Sequence, residues 1–129
     1  FESTNIRGLG AHPLDANVLL AGLGDAFNTS VPMYRSQDSG LTWANSDAGL
    51  NAEQIRAIAI DPTTVDANPG TAENFHVYAS GRAAAIPNAT AIDGGVYKST
   101  DSGNNWATID NGIALLNFGS VTRPFMGTV

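Results

Sequence analysis

The residues of this chain with the most chemistry in them come as two matched sets. Ser36-Gln37-Asp38-Ser39-Gly40-Leu41-Thr42-Trp43 returns as Ser99-Thr100-Asp101-Ser102-Gly103-Asn104-Asn105-Trp106, and both fit Ser-x-Asp-x-Gly-x-x-Trp. A recurring aspartate could serve as a catalytic acid, as a metal ligand or as the closure of a turn, and its neighbours point to the turn. An Asp carboxylate accepts hydrogen bonds from backbone N–H groups two residues on, closing an Asx-type turn. A Gly two positions later supplies the positive φ that other residues resist. The Ser hydroxyl can tie the turn back to the backbone, and a Trp on the returning strand is large enough to bury much of one sheet face. Asp38 and Asp101 are therefore expected to be folding devices.

Other chemistries find little support. His12 and His76 are too few, and too poorly matched between the copies, for a metal site; His12 aligns with Asp61 just before a proline and reads as a strand-end polar residue. Every serine of interest is already claimed by a turn, which leaves no Ser–His–Asp triad. Gly22-Leu23-Gly24 lacks the following helix that a phosphate loop needs. With no cysteine there are no disulfides, thiolate metal sites or cysteine nucleophiles. No metal or cofactor is expected. Lys98 is the only lysine, and with Arg7, Arg35, Arg56, Arg82 and Arg123 it faces 12 acids for a net charge of −6. Nucleic-acid and anionic-membrane binding both need clustered positive charge, so neither partner is expected. No apolar run approaches the ~18–20 residues of a spanning helix. Phe1 opens directly in polar sequence, so any secretory leader is expected to have been removed or never present.

An internal repeat must position the two motifs. Ile6-Arg7-Gly8-Leu9-Gly10-Ala11-His12-Pro13 pairs with Ile55-Arg56-Ala57-Ile58-Ala59-Ile60-Asp61-Pro62, and Val18-Leu19-Leu20-Ala21-Gly22 with His76-Val77-Tyr78-Ala79-Ser80. Tyr34-Arg35 and Tyr97-Lys98 precede the motifs; Asp47-Ala48-Gly49-Leu50 and Asp110-Asn111-Gly112-Ile113 follow them. The second copy is longer, its extra residues lying within 65–74 and 81–93, stretches of loop composition. Each copy predicts four short strands: an Ile-Arg segment stopped by proline, a short apolar run (18–21 and 77–79), then a hairpin whose arms are 33–36 with 42–45, and 96–99 with 105–109. Tyr34 and Tyr97 recur in register and are assigned to sheet packing.

At the two motifs the sequence resembles the Asp-box, or bacterial neuraminidase repeat, of β-propellers. Its bearers include sialidases, xyloglucanase-type glycoside hydrolases, sortilin-type receptors and photosystem II assembly factors. The resemblance covers about residues 6–113 and implies an all-β chain of two four-stranded antiparallel propeller blades plus the start of a third. The corresponding segments are 1–54, 55–113 and 114–129, the last a lead-in to a further blade or a closing strand. The structural Asp-box residues are then Ser36, Asp38, Gly40, Trp43, Ser99, Asp101, Gly103 and Trp106. In xyloglucanase-like members the catalytic carboxylates sit between the second and third strands of a blade. That implies Asp25 and Asp93 as the catalytic pair of a glycosidase, which needs two carboxylates ~5–10 Å apart. Both also read as turn residues beside glycine, their plainer role. Phe27 is the aromatic placed to stack on a sugar. Sialidases use an arginine triad with a Tyr–Glu pair, which this chain does not supply; Arg7 and Arg56 hold equivalent repeat positions and read as structural.

Propellers close with about four to eight blades, so two would leave apolar faces and strand edges exposed. The chain is accordingly expected to belong with further blades of the same protein, to build a ring from several copies, or to fold its tail back onto the first blade. The functional expectation is a segment of an extracellular or periplasmic propeller, associated with polysaccharide or glycan binding or with glycoside hydrolysis of the sialidase/xyloglucanase type, and inactive in isolation. A non-enzymatic protein-binding or assembly scaffold is the alternative. The Asn28-Thr29-Ser30 and Asn88-Ala89-Thr90 sequons would be glycosylated only on a eukaryotic secretory route.

Overall fold

A computed structural model describes residues 5–24, 31–52, 54–66, 74–82, 94–113, 115–118 and 121–124. Among them the chain is all-β, with no helix. The first antiparallel sheet takes β1 (Ile6–Ala11), β2 (Leu19–Leu23), β3 (Met33–Ser36) and β4 (Ala44–Asn45) in sequence order. The second takes β5 (Gln54–Ile60), β6 (Val77–Arg82), β7 (Gly95–Ser99) and β8 (Ala107–Thr108) in the same way. In the tail, β9 (Leu115–Phe118) and β10 (Val121–Pro124) form a two-stranded hairpin of their own.

The two sheets share one register. Leu9 faces Ala21 as Ile58 faces Ala79, and Ala21 faces Tyr34 as Ala79 faces Tyr97. Each first strand carries its irregularity at the same place, between Ile6 and Gly8 and between Ile55 and Ala57. The final strands are shorter than the hairpin pattern predicts, two residues each at Ala44–Asn45 and Ala107–Thr108. The preceding backbone amides are drawn into the turn by the Asp carboxylate and cannot join the ladder. Each Trp therefore sits at the mouth of the turn, immediately before its strand.

Strand alternation decides which residues the sheets bury against one another. Leu20 and Met33, on one face of the first sheet, join Val77, Ala79 and Tyr97 on one face of the second, with Val18, Ala52, Ile55, Phe75 and Trp106 completing the cluster. Burying a side chain such as Leu20 or Ile55 stabilises by about 1.5–3 kcal/mol, and this one seam supplies most of the described core. Close approach is possible because the first sheet offers glycine there. A Cβ added at Gly10 would lie 2.7 Å from Ile58 Cγ2, and one at Gly22 would lie 2.6 Å from Ile55 Cγ2. Tyr97 is fully buried and its hydroxyl donates to the Asn51 carbonyl at 2.7 Å, tying the second sheet to the connection between the two.

Candidate functional site

Each Ser-x-Asp-x-Gly-x-x-Trp segment forms the turn between the third and fourth strands of its sheet. Ser36 Oγ donates to Asp38 Oδ1 at 2.8 Å and accepts from the Gly40 amide at 2.8 Å. Asp38 Oδ1 also accepts the Thr42 amide at 2.8 Å, and its Oδ2 accepts the Thr42 hydroxyl. The second turn repeats the pattern: Ser99 Oγ donates to Asp101 Oδ1 at 2.7 Å and accepts from the Gly103 amide at 2.9 Å. Asn105 donates its amide to Oδ1 at 2.8 Å and its side-chain Nδ2 to Oδ2 at 2.7 Å. The carboxylate's reach is thus four residues forward, where Asx-turn reasoning expects two. Gly40 and Gly103 take φ of 88° and 87° as expected, and the residue before each does so too, Ser39 at 59° and Ser102 at 61°. Two successive left-handed residues turn the Gly N–H inward to the serine.

These bonds hold the carboxylates ionised. The Thr42 hydroxyl, then the Thr42 amide and the Ser36 hydroxyl, keep Asp38 below the usual carboxylate range. At Asp101 burial pushes upward, but the Asn105 side chain and amide and the Ser99 hydroxyl outweigh it and hold the group low. Asp61, after β5, is lowered by the Thr63 hydroxyl and amide. A general acid must carry a proton near its working pH, and none of these three does at neutrality.

The motifs differ in where their tryptophans bind. Trp43 is half-buried, and its Nε1 donates to Gly40 in its own turn at 3.1 Å. Trp106 is buried; its Nε1 crosses to the Ser46 carbonyl of the first repeat at 2.8 Å, and its amide donates to Ala48 at 2.8 Å. Ser46 Oγ donates to the Gly103 carbonyl, and Arg35 Nη1 to Asn104 Oδ1 at 3.3 Å. Burial lowers the pKa of the half-buried Arg35, with Asp101 acting to raise it. The second motif is therefore also a clasp between the sheets. A clasp links residues from different repeats, and matching the repeats to each other gives no sign of it.

His12 is buried rather than simply polar at a strand end. Its Nδ1 accepts the Leu14 and Asp15 amides at 3.2 and 2.9 Å, the part Asp61 Oδ1 plays for Thr63 at 3.0 Å. Its ring stands edge-on to Phe75 at 4.8 Å between centroids. Arg56 donates to Gln54 Oε1 at 2.8 Å, a local contact within its strand. Asp25, Phe27 and Asp93 lie outside the described residues, in the connections that follow β2 and precede β7. Among the described residues no group of three or more His, Cys, Asp or Glu is placed to hold a metal ion. A shallow depression of about 250 Å³, lined by Lys98, Thr100, Asp101, Asn105, Trp106, Ala107 and Ile109, opens on the outer face of the second sheet. Compared with known protein families and with curated proteins, the sequence matches none.

Proposed function

We propose that the chain is a two-repeat segment of an Asp-box β-propeller, extracellular or periplasmic, of the kind associated with carbohydrate binding or glycoside hydrolysis, which by itself binds glycan and is inactive in hydrolysis. The observation that carries this is the equivalence of the two sheets. Each bears its motif at the turn between its third and fourth strands, in one register, and the second stacks on the first with β5 lying against β1 and β2. Stacked equivalent sheets are how a propeller is built. With the motif carboxylates engaged in turn closure, ligand chemistry falls to the connections after the second strands, where Asp25, Phe27 and Asp93 lie. Affinity electrophoresis of the chain through xyloglucan and mixed-linkage β-glucan tests this. Retardation that Phe27→Ala abolishes, and that Asp25→Asn with Asp93→Asn weakens, is the expected result. Unretarded migration in every polysaccharide rejects it.

A non-enzymatic scaffold is the second reading. It is favoured by Asp38 and Asp101, each of which has both carboxylate oxygens engaged within its own turn. Capture of a defined protein partner by a chain that binds no glycan would establish it.

A further inference from the structure

The seam between the sheets has two halves, and the repeat presents each half a second time on an outer surface. Ile55 and Ile58 of the second sheet sit in the seam; their counterparts in the first sheet, Ile6 and Leu9, are 41% and 64% exposed. Ser46 and Leu50 of the first repeat also belong to the seam. Their counterparts, Ile109 and Ile113, are 44% and 40% exposed. Four of the exposed large hydrophobics among the described residues are therefore seam positions that lack the neighbour their counterparts have. The first sheet's outer face carries the projecting half and the second sheet's outer face the receiving half.

We propose that a second copy of this chain docks head to tail, its Leu9 face seating on the Ala57–Ala59 face of the first. The substitutions between repeats are matched across that contact. In the seam Ile58 lies over Gly8 and Gly10, and a Cβ at Gly10 would strike the β-branch methyl Cγ2 at 2.7 Å. On the outer surface Ala59 has that Cβ, and Leu9 has no branch at its own β-carbon. The polar clasp is exchanged too. Where Ser46 receives the turn bearing Asn104, Ile109 meets the turn bearing Leu41, which is 84% exposed. The depression beside Lys98, Ala107 and Ile109 lies where the seam accepts a motif turn in the first sheet. Gly49 has φ 88° and a Cβ added there would strike the Trp106 carbonyl; Gly112 has φ 90° and open space beside an added Cβ, the place of the incoming Trp43 backbone. The fit is looser at one end. Ser80 stands where Gly22 admits Ile55, so Ile6, near the start of β1, must draw back.

Such an interface is heterologous, and each copy keeps one live face of each kind. Sedimentation velocity across a concentration series is the test. The weight-average mass should climb from 13.4 kDa toward multiples of it as concentration rises. Leu9→Asp and Ala59→Arg alter exposed positions, so each should keep the wild-type circular dichroism and melting curve while weakening self-association by about tenfold or more, as loss of a central interface contact does. Gly112→Ala should weaken it as well. An equimolar mixture of Leu9→Asp and Ala59→Arg retains one intact pair of faces and should form a dimer that grows no further. A wild-type chain that stays at 13.4 kDa at every concentration overturns the proposal, and so does a mixture that fails to dimerise.

Discussion

Gly49 and Gly112 occupy the same place in the two repeats with φ of 88° and 90°, and differ only in what lies beside them. Alanine at either position must adopt a backbone conformation that L-residues resist, a strain of about 1–2 kcal/mol. At Gly112 nothing lies within 4 Å of the added Cβ, so strain is the whole effect. At Gly49 the Cβ would stand 2.2 Å from the Trp106 carbonyl oxygen and 3.2 Å from its carbon. Backbone cannot rotate aside as a side chain can, so the seam must open by about 1 Å to restore ordinary contact. That opening breaks the Trp106 amide bond to Ala48, now 2.8 Å, and strains the Nε1 bond to Ser46, also 2.8 Å. Leaving these buried groups poorly paired costs about 1–3 kcal/mol each. Gly49→Ala should thus destabilise by about 3–8 kcal/mol against about 1–2 for Gly112→Ala; with the strain shared, the difference of at least about 2 kcal/mol should separate their melting temperatures by at least about 6 °C. Thermal unfolding followed by circular dichroism, in dilute solution where copies stay apart, reads the difference. Equal losses for the two variants would refute the assignment of the seam to the Trp106 backbone.

Among the described residues three aspartates are lowered, and these contribute to the acid limit. A carboxyl held below its unfolded value contributes stability that is present above about pH 4 and lost as pH falls toward the folded value. The melting temperature should therefore hold between about pH 5 and 7 and decline below about pH 4, more shallowly in Asp101→Asn; an Asp101→Asn variant with the wild-type acid slope contradicts the turn electrostatics. The two tryptophans should separate in the single-Trp variants Trp43→Phe and Trp106→Phe, with acrylamide quenching the remaining Trp43 strongly and the remaining Trp106 weakly. Truncation should follow the same order: Trp106→Ala costs about 3–5 kcal/mol, as large buried aromatics do, and Trp43→Ala less. Quenching of equal strength would place both rings in one environment and sink the asymmetry.

Strand order and repeat equivalence were legible because they rest on local patterns: apolar runs stopped at proline, and Asp-Ser-Gly between apolar arms. The register of Ile6 through Pro13 against Ile55 through Pro62 is carried into the ladder pairings unchanged. Three features escaped the sequence. The positive φ of Ser39 and Ser102 follows from the serine's demand for the Gly amide two residues beyond the aspartate, a constraint that turn propensities do not encode. His12 looked like an ordinary polar end, because the Phe75 ring that covers it comes from the other repeat. Arg35 resembled Lys98 in alignment, yet one is half-buried in the seam and the other lies over the Tyr78 ring, 5.5 Å from its centroid. For His12 and Arg35 the missing information is a contact between repeats, and comparing the repeats with each other removes that information from view.

The same reasoning separates the two jobs of the motif. Ser, Asp and Gly close the turn by bonds within eight residues, so both copies do this alike whatever stands next to them. Trp is different, since its ring and its N–H reach whatever the adjoining repeat offers. Trp106 finds Ser46 and Ala48 and is buried; Trp43 bonds back to Gly40 and stays half-exposed. One repeated chemistry therefore yields a self-sufficient turn and a neighbour-dependent clasp. The state of each tryptophan reports whether its side of the repeat is occupied, and Trp43 is the natural probe for any docking event on the first sheet.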